Sequence, residues 1–262
     1  MNIIIFSKNR AAQLELFIRS FKKYVKNADD YTLKIVYQPT EPQYEEGYKK
    51  LMGMDYLNIV YVKETNFHKN IVDFIDPTDG HIVFFSDDNI FKNEYDFYDE
   101  KMDIFNADKE IGVLSLRLHP RLTFCYSMNI PQPQPEFMEN NIFYWRGQTG
   151  DYGYPMSVDG HIFRTEDVYP AIKNGYFPNP TMMENFLVGH SIRAPKMICY
   201  DKSLIVNNPC NRAATVHGNI HGNVDLSDLN KYFLEGKLIS MENIDGIENT
   251  ACHQEIEIIY ES

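Results

Sequence analysis

Short apolar segments that read as buried strands alternate with amphipathic helices along the first half of the chain. Ile3–Phe6 predicts a strand, Asn9 follows it as the expected N-cap of a helix, and apolar positions from Leu14 to Val25 recur at helical spacing. Leu33–Tyr37 predicts the next strand. Strands joined by helices favour right-handed βαβ units on a parallel sheet. We therefore predict an α/β fold with a Rossmann-like, mostly parallel sheet flanked by helices and an irregular C-terminal part.

The ends of the predicted strands are the places where such a sheet binds ligands. The apolar run His81–Phe85 leads directly into Ser86-Asp87-Asp88-Asn89, so two carboxylates and an amide lie at a strand end. Carboxylate oxygens are ligands for Mg²⁺ or Mn²⁺, which in turn bridge phosphate oxygens. The same residue types also form turns by bonding to their own backbone, and the sequence leaves both interpretations open.

The charge of the chain restricts its partners. The 262 residues carry a formal net charge of −12, which argues against nucleic acid or an anionic membrane surface as the partner. The four cysteines are scattered without a paired spacing, as in reduced cytosolic proteins. Because no apolar run approaches the length of a membrane span, we expect a cytoplasmic protein with at most peripheral membrane contact.

The strand that enters Ser86–Asn89 resembles the Asp-x-Asp segment of GT-A glycosyltransferases, and the opening Ile5–Arg10 is similar to their first strand and loop, as in glycosyltransferase family 2. This resemblance implies a GT-A fold and a cofactor, Mn²⁺ or Mg²⁺. It places Asp87 near the nucleotide ribose and makes Asp88 a metal ligand. The other residues that it assigns to nucleotide-sugar binding are Phe6, Ser7, Lys8 and Arg10.

A later segment resembles the part of inverting GT-A enzymes that presents the catalytic base. In Asn179–Leu187 the usual pair of acids is replaced by Glu184-Asn185, so Glu184 is the carboxylate that would take the proton of the acceptor hydroxyl. Thr181-x-x-Glu184 is also a capping box, in which Glu184 would bond to the Thr181 backbone N–H. The two roles remain alternatives at this stage.

Four further side chains complete the candidate site. Asp159 precedes a glycine and is assigned as a second catalytic residue that contacts donor-sugar hydroxyls, and Asp151 is assigned to nucleotide-sugar binding beside it. Arg212 would neutralise the departing diphosphate. The resemblance also implies a late histidine as metal ligand, for which His217 is preferred over His221.

The resulting prediction is a single GT-A catalytic domain over residues 1–262. It has a nucleotide-binding half at 1–120, a half that completes the donor and acceptor sites at 121–222, and a helical tail at 223–262. The expected function is metal-dependent, inverting transfer of a sugar from a nucleoside diphosphate sugar to a hydroxyl of a glycan or glycolipid acceptor. The alternatives are a non-catalytic nucleotide- or glycan-binding module and a metal-dependent nucleotidyltransferase or phosphohydrolase.

Overall fold

The computed structural model describes residues 1–190, 192–211 and 220–261. Within these ranges the strands are β1 (Asn2–Lys8), β2 (Thr32–Gln38), β3 (Asn58–Lys63), β4 (His81–Ser86), β5 (Asn89–Phe91), β6 (Ile111–Ser115), β7 (Phe124–Cys125), β8 (Ile130–Pro131), β9 (Ile142–Tyr144), β10 (His161–Arg164), β11 (Lys196–Cys199), β12 (Ile205–Asn207), β13 (Leu238–Ile239) and β14 (Tyr260–Glu261). The α-helices are α1 (Ala11–Tyr24), α2 (Pro42–Met52), α3 (Phe67–Phe74), α4 (Glu100–Ala107), α5 (Thr165–Asn174), α6 (Pro180–His190) and α7 (Leu226–Leu234).

The central sheet has eight strands in the order β3-β2-β1-β4-β10-β6-β11-β9. All neighbouring pairs from β3 to β4 are parallel, β10 runs antiparallel to both of its neighbours, and β11 is parallel to β6. The edge strand β9 runs antiparallel to β11. The predicted α/β fold with a mostly parallel sheet flanked by helices is therefore confirmed.

The continuous apolar run of β1 follows from burial on both faces of the sheet. Ile3 and Ile5 face the core that contains Leu14 and Phe17 of α1, whereas Ile4 faces the opposite core, which contains apolar residues of α3, α5 and α6. A strand covered on both sides needs apolar residues at every position, not at alternate positions. Helices on both faces thus hold β1 and β4 rigidly at the centre of the sheet.

The ends of β1 and β4 form the crevice where a ligand is expected. In the sheet, β2 lies on one side of β1 and β4 lies on the other. The chain that leaves β1 therefore continues toward one edge of the sheet, and the chain that leaves β4 continues toward the other edge. Such a topological switch point is the usual ligand site of an open parallel sheet. Ser7–Arg10 and Ser86–Asn89 lie at this point.

Asn9 does not cap α1 as expected from the sequence. Its backbone is left-handed, with φ of 62°. Its side chain contacts the connection after β2, where it accepts from the Thr40 backbone N–H at 2.7 Å and donates to Thr40 Oγ1 at 2.8 Å. Arg10 occupies the N-cap position instead. Asparagine tolerates this backbone conformation better than most residues, which explains its use here.

Within the described residues of the tail, 223–261, α7 is the one helix. Downstream of this helix, β13 pairs with β14, and the intervening chain is irregular but buries Ile244, Ala251 and Cys252. The Asn207 N–H donates to the Cys252 carbonyl at 3.0 Å, and the Gln254 N–H donates to the Asn207 carbonyl at 2.9 Å. The tail therefore returns to β12, which pairs with β5. No helix in the described ranges is both long enough and apolar enough to cross a bilayer.

Gly160 lies where β10 begins and has no room for a side chain. Its φ is +73°, and an added Cβ would lie 2.2 Å from Cδ1 of the buried Ile205. We expect Gly160→Ala to lower the free energy of unfolding by about 1–3 kcal/mol through overpacking and backbone strain. In Gly80→Ala, where an added Cβ meets nothing within 4 Å, urea titration should show no such loss. Equal stability of the two variants would contradict this account of the β10 entry.

Candidate functional site

A cavity of about 400 Å³ opens at the ends of β1 and β4. This volume lies in the range of small-molecule sites. The charged side chains along its wall are Arg10, Asp88, Arg117, Asp151, Asp159 and Glu184, and His221 and His253 also line it. The structure thus brings together Arg10, Asp88, Asp151, Asp159 and Glu184, which were selected separately from the sequence.

Asp87 lies beneath the cavity wall, where it is 4% exposed. Its Oδ1 accepts from Arg10 Nη1 at 3.1 Å, and its Oδ2 accepts from the Lys8 backbone N–H at 3.1 Å. Burial raises the pKa of Asp87 to about 6, although Arg10 acts in the opposite direction. Asp87 therefore anchors the β1 loop through Arg10 and Lys8.

Asp88 is directed toward the cavity and is held by neighbours on one side. Its Oδ1 accepts from Ser86 Oγ at 2.6 Å and from Asn207 Nδ2 at 3.3 Å, and its carbonyl accepts from the Asn208 N–H at 2.9 Å. Its Oδ2 lies 3.5 Å from Arg10 Nη1. The pairing of β12 with β5 places these asparagines beside the strand end, so the carboxylate is oriented before any ligand arrives.

Arg117 joins three polar side chains from the far wall of the cavity. Nη2 donates to Asp151 Oδ1 at 2.7 Å, whereas Nη1 donates to Ser157 Oγ at 2.7 Å and to Asp159 Oδ2 at 3.1 Å. Arg117 is 4% exposed. Burial alone would raise the pKa of Asp159, but Arg117, followed by His253, brings it below its ordinary value. Asp159 is therefore a carboxylate near neutral pH.

His253 enters the cavity from the C-terminal segment. Its Nε2 lies 3.8 Å from Asp159 Oδ2, and its Nδ1 lies 3.4 Å from Arg117 Nη2. Burial, followed by the charge of Arg117, lowers the pKa of His253, which favours the neutral imidazole. Sequence reasoning missed both His253 and Arg117. A signal existed for Arg117, because an arginine closely following the buried strand β6 is unusual unless it is paired.

Glu184 lies in α6, where its side chain is half-buried at the cavity wall. Oε1 accepts from the Val158 backbone N–H at 2.9 Å. Burial and then the charge of Asp159 raise the pKa of Glu184 to about 8. Asn179 caps α6 by accepting from the Met182 N–H at 2.9 Å. The side chain of Glu184 is thus engaged with the loop before β10 and not with a capping box at Thr181.

The remaining predicted residues have other surroundings. Phe6 is buried in the core, where its ring packs against Phe67 and Phe84. Ser7 Oγ lies 2.6 Å from the Tyr48 hydroxyl, and the side chain of Lys8 is exposed. None of these three residues lines the cavity.

Of the two histidine candidates and Arg212, His221 is the one that the structure describes. Arg212 and His217 lie outside the described residues, so their assigned roles stay predictions. His221 lines the cavity, with Nδ1 2.7 Å from the Gly222 carbonyl. Among residues 1–190, 192–211 and 220–261, no three acidic, histidine or cysteine side chains form a closed metal cluster.

Comparison with known proteins supports this architecture. No protein-family model matches the sequence. The bifunctional glycosyltransferase pgtA of Dictyostelium discoideum is 24% identical over an alignment of 204 residues, and the match covers 67% of this chain and 26% of that protein. The chain thus spans about a quarter of the length of this curated relative.

Solved structures resemble the chain in fold. S. aureus TarS residues 1–349 in complex with UDP-GlcNAc aligns with a TM-score of 0.51 at 14% identity, covering 78% of this chain and 58% of that one. The complex of the same TarS residues with UDP gives a TM-score of 0.50 at 14% identity, covering 78% and 60%. The GT-A fold is confirmed, and with it the resemblance to GT-A glycosyltransferases that Ser86–Asn89 indicated.

The raised pKa of Glu184 has a consequence for stability. A carboxyl whose pKa is higher in the folded state binds its proton more tightly there, so ionisation costs stability as pH rises from about 4.5 to about 8. The slope of this loss is at most about 1.4 kcal/mol per pH unit. We expect Glu184→Gln, which cannot ionise, to unfold at a higher temperature than the unsubstituted protein at pH 8.5, and the gap to shrink toward pH 5. A gap that is constant with pH would contradict the assigned environment.

Proposed function

We propose that this chain transfers a sugar from a nucleoside diphosphate sugar to a hydroxyl of a glycan or glycolipid acceptor, as a GT-A enzyme related to family 2. The observation that carries the proposal is that Asp88 and Glu184 line one cavity at the switch point of a GT-A sheet. The similarity to pgtA and the fold shared with TarS support the same class of enzyme.

The donor side of the cavity suits a nucleoside diphosphate. Arg10 is buried at the end of β1, with Nη2 donating to the Asn211 carbonyl at 2.6 Å and Nη1 near Asp88. A guanidinium fixed in this way offers hydrogen bonds and positive charge to phosphate oxygens. We assign Asp151 and Asp159 on the opposite wall to accepting from donor-sugar hydroxyls, and the hydrogen bonds from Arg117 to both carboxylates support this assignment.

A divalent cation fits the polar groups at Asp88. Asp88 lines the cavity with its Oδ2 3.5 Å from Arg10 Nη1, and His253, whose lowered pKa favours the neutral imidazole, lines the same cavity. Mg²⁺ in nucleotide sites is held by one or two protein ligands together with phosphate oxygens and water, so a closed protein cluster is not required. We propose Asp88 and His253 as the ligands, and His217 remains a predicted one. A bound Mn²⁺ or Mg²⁺ would stabilise the negative charge of the departing diphosphate.

Glu184 is proposed as the base of an inverting transfer. Its carboxylate would take the proton of the acceptor hydroxyl as the hydroxyl oxygen bonds to the anomeric carbon and the bond to the diphosphate breaks. The Val158 N–H fixes the orientation of the carboxylate, and the raised pKa makes it a stronger base than an ordinary glutamate. Asp159 is engaged with Ser86 and Arg117, so we assign it to positioning the donor sugar.

Glu184→Gln tests the assignment of the base. We expect kcat to fall by about 10²- to 10⁴-fold with little change in the donor KM, because the amide keeps the shape of the side chain and cannot accept the proton. For the unsubstituted protein, kcat/KM should rise with pH up to about 8, where the carboxyl of the ligand-free protein ionises. Asn185→Ala, at the adjacent cavity position, serves as the control. If Glu184→Gln retains more than a tenth of kcat, another group is the base.

His253→Ala tests the metal ligand set against His221→Ala. Both histidines line the cavity, but the ring of His253 lies near Asp159 and Arg117, while that of His221 lies near its own loop. We expect His253→Ala to raise the Mn²⁺ concentration for half-maximal donor turnover by about tenfold or more, and His221→Ala to leave it within about twofold. The reverse pattern would assign the ligand to His221, and full activity in EDTA would rule out metal dependence.

A further inference from the structure

A second cavity, with no residue in common with the first, lies between the connections after β5 and β6, the connection before β12 and the C-terminal segment. Its volume is about 190 Å³. Small-molecule sites usually exceed about 300 Å³, and a water occupies about 30 Å³ of liquid, so this space suits a small group with a few waters.

Three cationic side chains line this cavity, namely Lys92, Arg121 and Lys202. Among the described residues, none of the three has a carboxylate within 4.0 Å, whereas many other cations of the chain are paired. Such a concentration of unpaired positive charge is unexpected in a protein of net charge −12. The cavity therefore has the opposite charge from the molecule as a whole.

Lys92 is the buried member of this group, at 3% exposure. Its Nζ donates to the Ile247 carbonyl at 2.7 Å, which uses one of the three donors of an ammonium group. Burial, and next the charge of Lys202, lowers the pKa of Lys92 to about 8. A buried ammonium that is repelled by its neighbours and lacks an anion is costly, and a bound anion would remove that cost.

The polar framework of the cavity is rigid. His119 Nε2 lies 3.0 Å from the Asn249 carbonyl, Ser203 Oγ donates to Asn249 Oδ1 at 2.6 Å, and Asn249 Nδ2 donates to the Ala251 carbonyl at 2.8 Å. These bonds tie the C-terminal segment to the two connections that precede it. The chain segments that carry Arg121 and Lys202 are thus joined to the C-terminal segment, which favours a site of defined shape.

We propose that this cavity binds a phosphate group, at a site separate from the nucleotide-sugar cavity. Three positive charges and a small polar space match a compact anion with several acceptor oxygens. Glu248 is the one acid among the lining residues, and its exposed carboxylate reduces the net positive charge without neutralising it. The phosphate is either a terminal phosphate of a phosphorylated molecule or a phosphodiester within a glycan.

Calorimetric titration of the full chain with inorganic phosphate tests the proposal, in EDTA so that phosphate cannot bind through a metal at Asp88. We expect one site per chain. Arg121→Ala/Lys202→Ala alters exposed side chains only, so the fold should persist, and we expect its affinity to fall at least about tenfold. The control Lys22→Ala/Lys173→Ala removes the same charge from exposed positions outside both cavities and should bind phosphate as tightly as the unsubstituted protein.

Glu248→Gln provides a variant with the opposite effect. Removing this carboxylate should tighten phosphate binding by about two- to fivefold, because an exposed like charge near the anion is lost. Dimethyl phosphate distinguishes the two sources. Binding of both probes indicates a phosphodiester within a glycan, and binding of inorganic phosphate alone indicates a terminal phosphate.

Two outcomes would overturn the proposal. One is the absence of heat up to about 10 mM phosphate in the unsubstituted protein. The other is equal loss of affinity in the cavity variant and in the control, which would show general electrostatic attraction. Neither outcome bears on sugar transfer, since no residue altered in this test lines the nucleotide-sugar cavity.

Discussion

The interaction on which the candidate site depends most is the buried contact of Arg117 with Asp151 and Asp159. Removing a guanidinium and two carboxylates from water is costly, and their mutual hydrogen bonds, together with those to Ser157 and from Ser86, offset this cost. The three residues come from different parts of the chain, after β6, in the 3₁₀ turn at Gly150–Gly153, and before β10. Loss of one partner of such a buried pair typically costs about 3–5 kcal/mol. This network therefore fixes the far wall of the cavity to the sheet.

The same network determines the chemistry available at Glu184. Arg117 keeps Asp159 ionised, and the charge of Asp159, together with burial, raises the pKa of Glu184. Asp159 thus stays ionised at neutral pH, while Glu184 keeps its proton until the pH approaches about 8 and becomes a proton acceptor there. Opposite pKa shifts of two nearby carboxyls are a common arrangement in sites that use one group for positioning and another for proton transfer. On the other wall, Arg10 has the corresponding role, because its Nη1 lies 3.1 Å from Asp87 Oδ1 and 3.5 Å from Asp88 Oδ2.

The fold could be predicted from the sequence because its signals are local. The apolar runs of β1 and β4 and the spacing along α1 require only neighbouring residues, and Asp88 follows a strand whose end defines the site. The contact between Arg117 and His253 has no such local signal, because the two are 136 residues apart and meet through the return of the tail to β12. Phe6 and Ser7 matched a family position, but burial on the two faces of the sheet turns them toward Phe84 and Tyr48. The local sequence pattern therefore predicts where the strands end. It does not predict which side chains at those ends are exposed to a ligand.

The central claim is that the cavity at the ends of β1 and β4 binds a nucleoside diphosphate together with a divalent cation at Asp88. Thermal unfolding in the presence of UDP, GDP or CDP, each with and without Mn²⁺, tests this claim most directly, with Asp88→Asn beside an Asp29→Asn control at an exposed position. We predict that one nucleotide with Mn²⁺ stabilises the unsubstituted protein and the control, by about 2.7 kcal/mol at 100 times its dissociation constant, and that Asp88→Asn loses this effect. Stabilisation that is equal in Asp88→Asn, or absent with all three nucleotides, would contradict it.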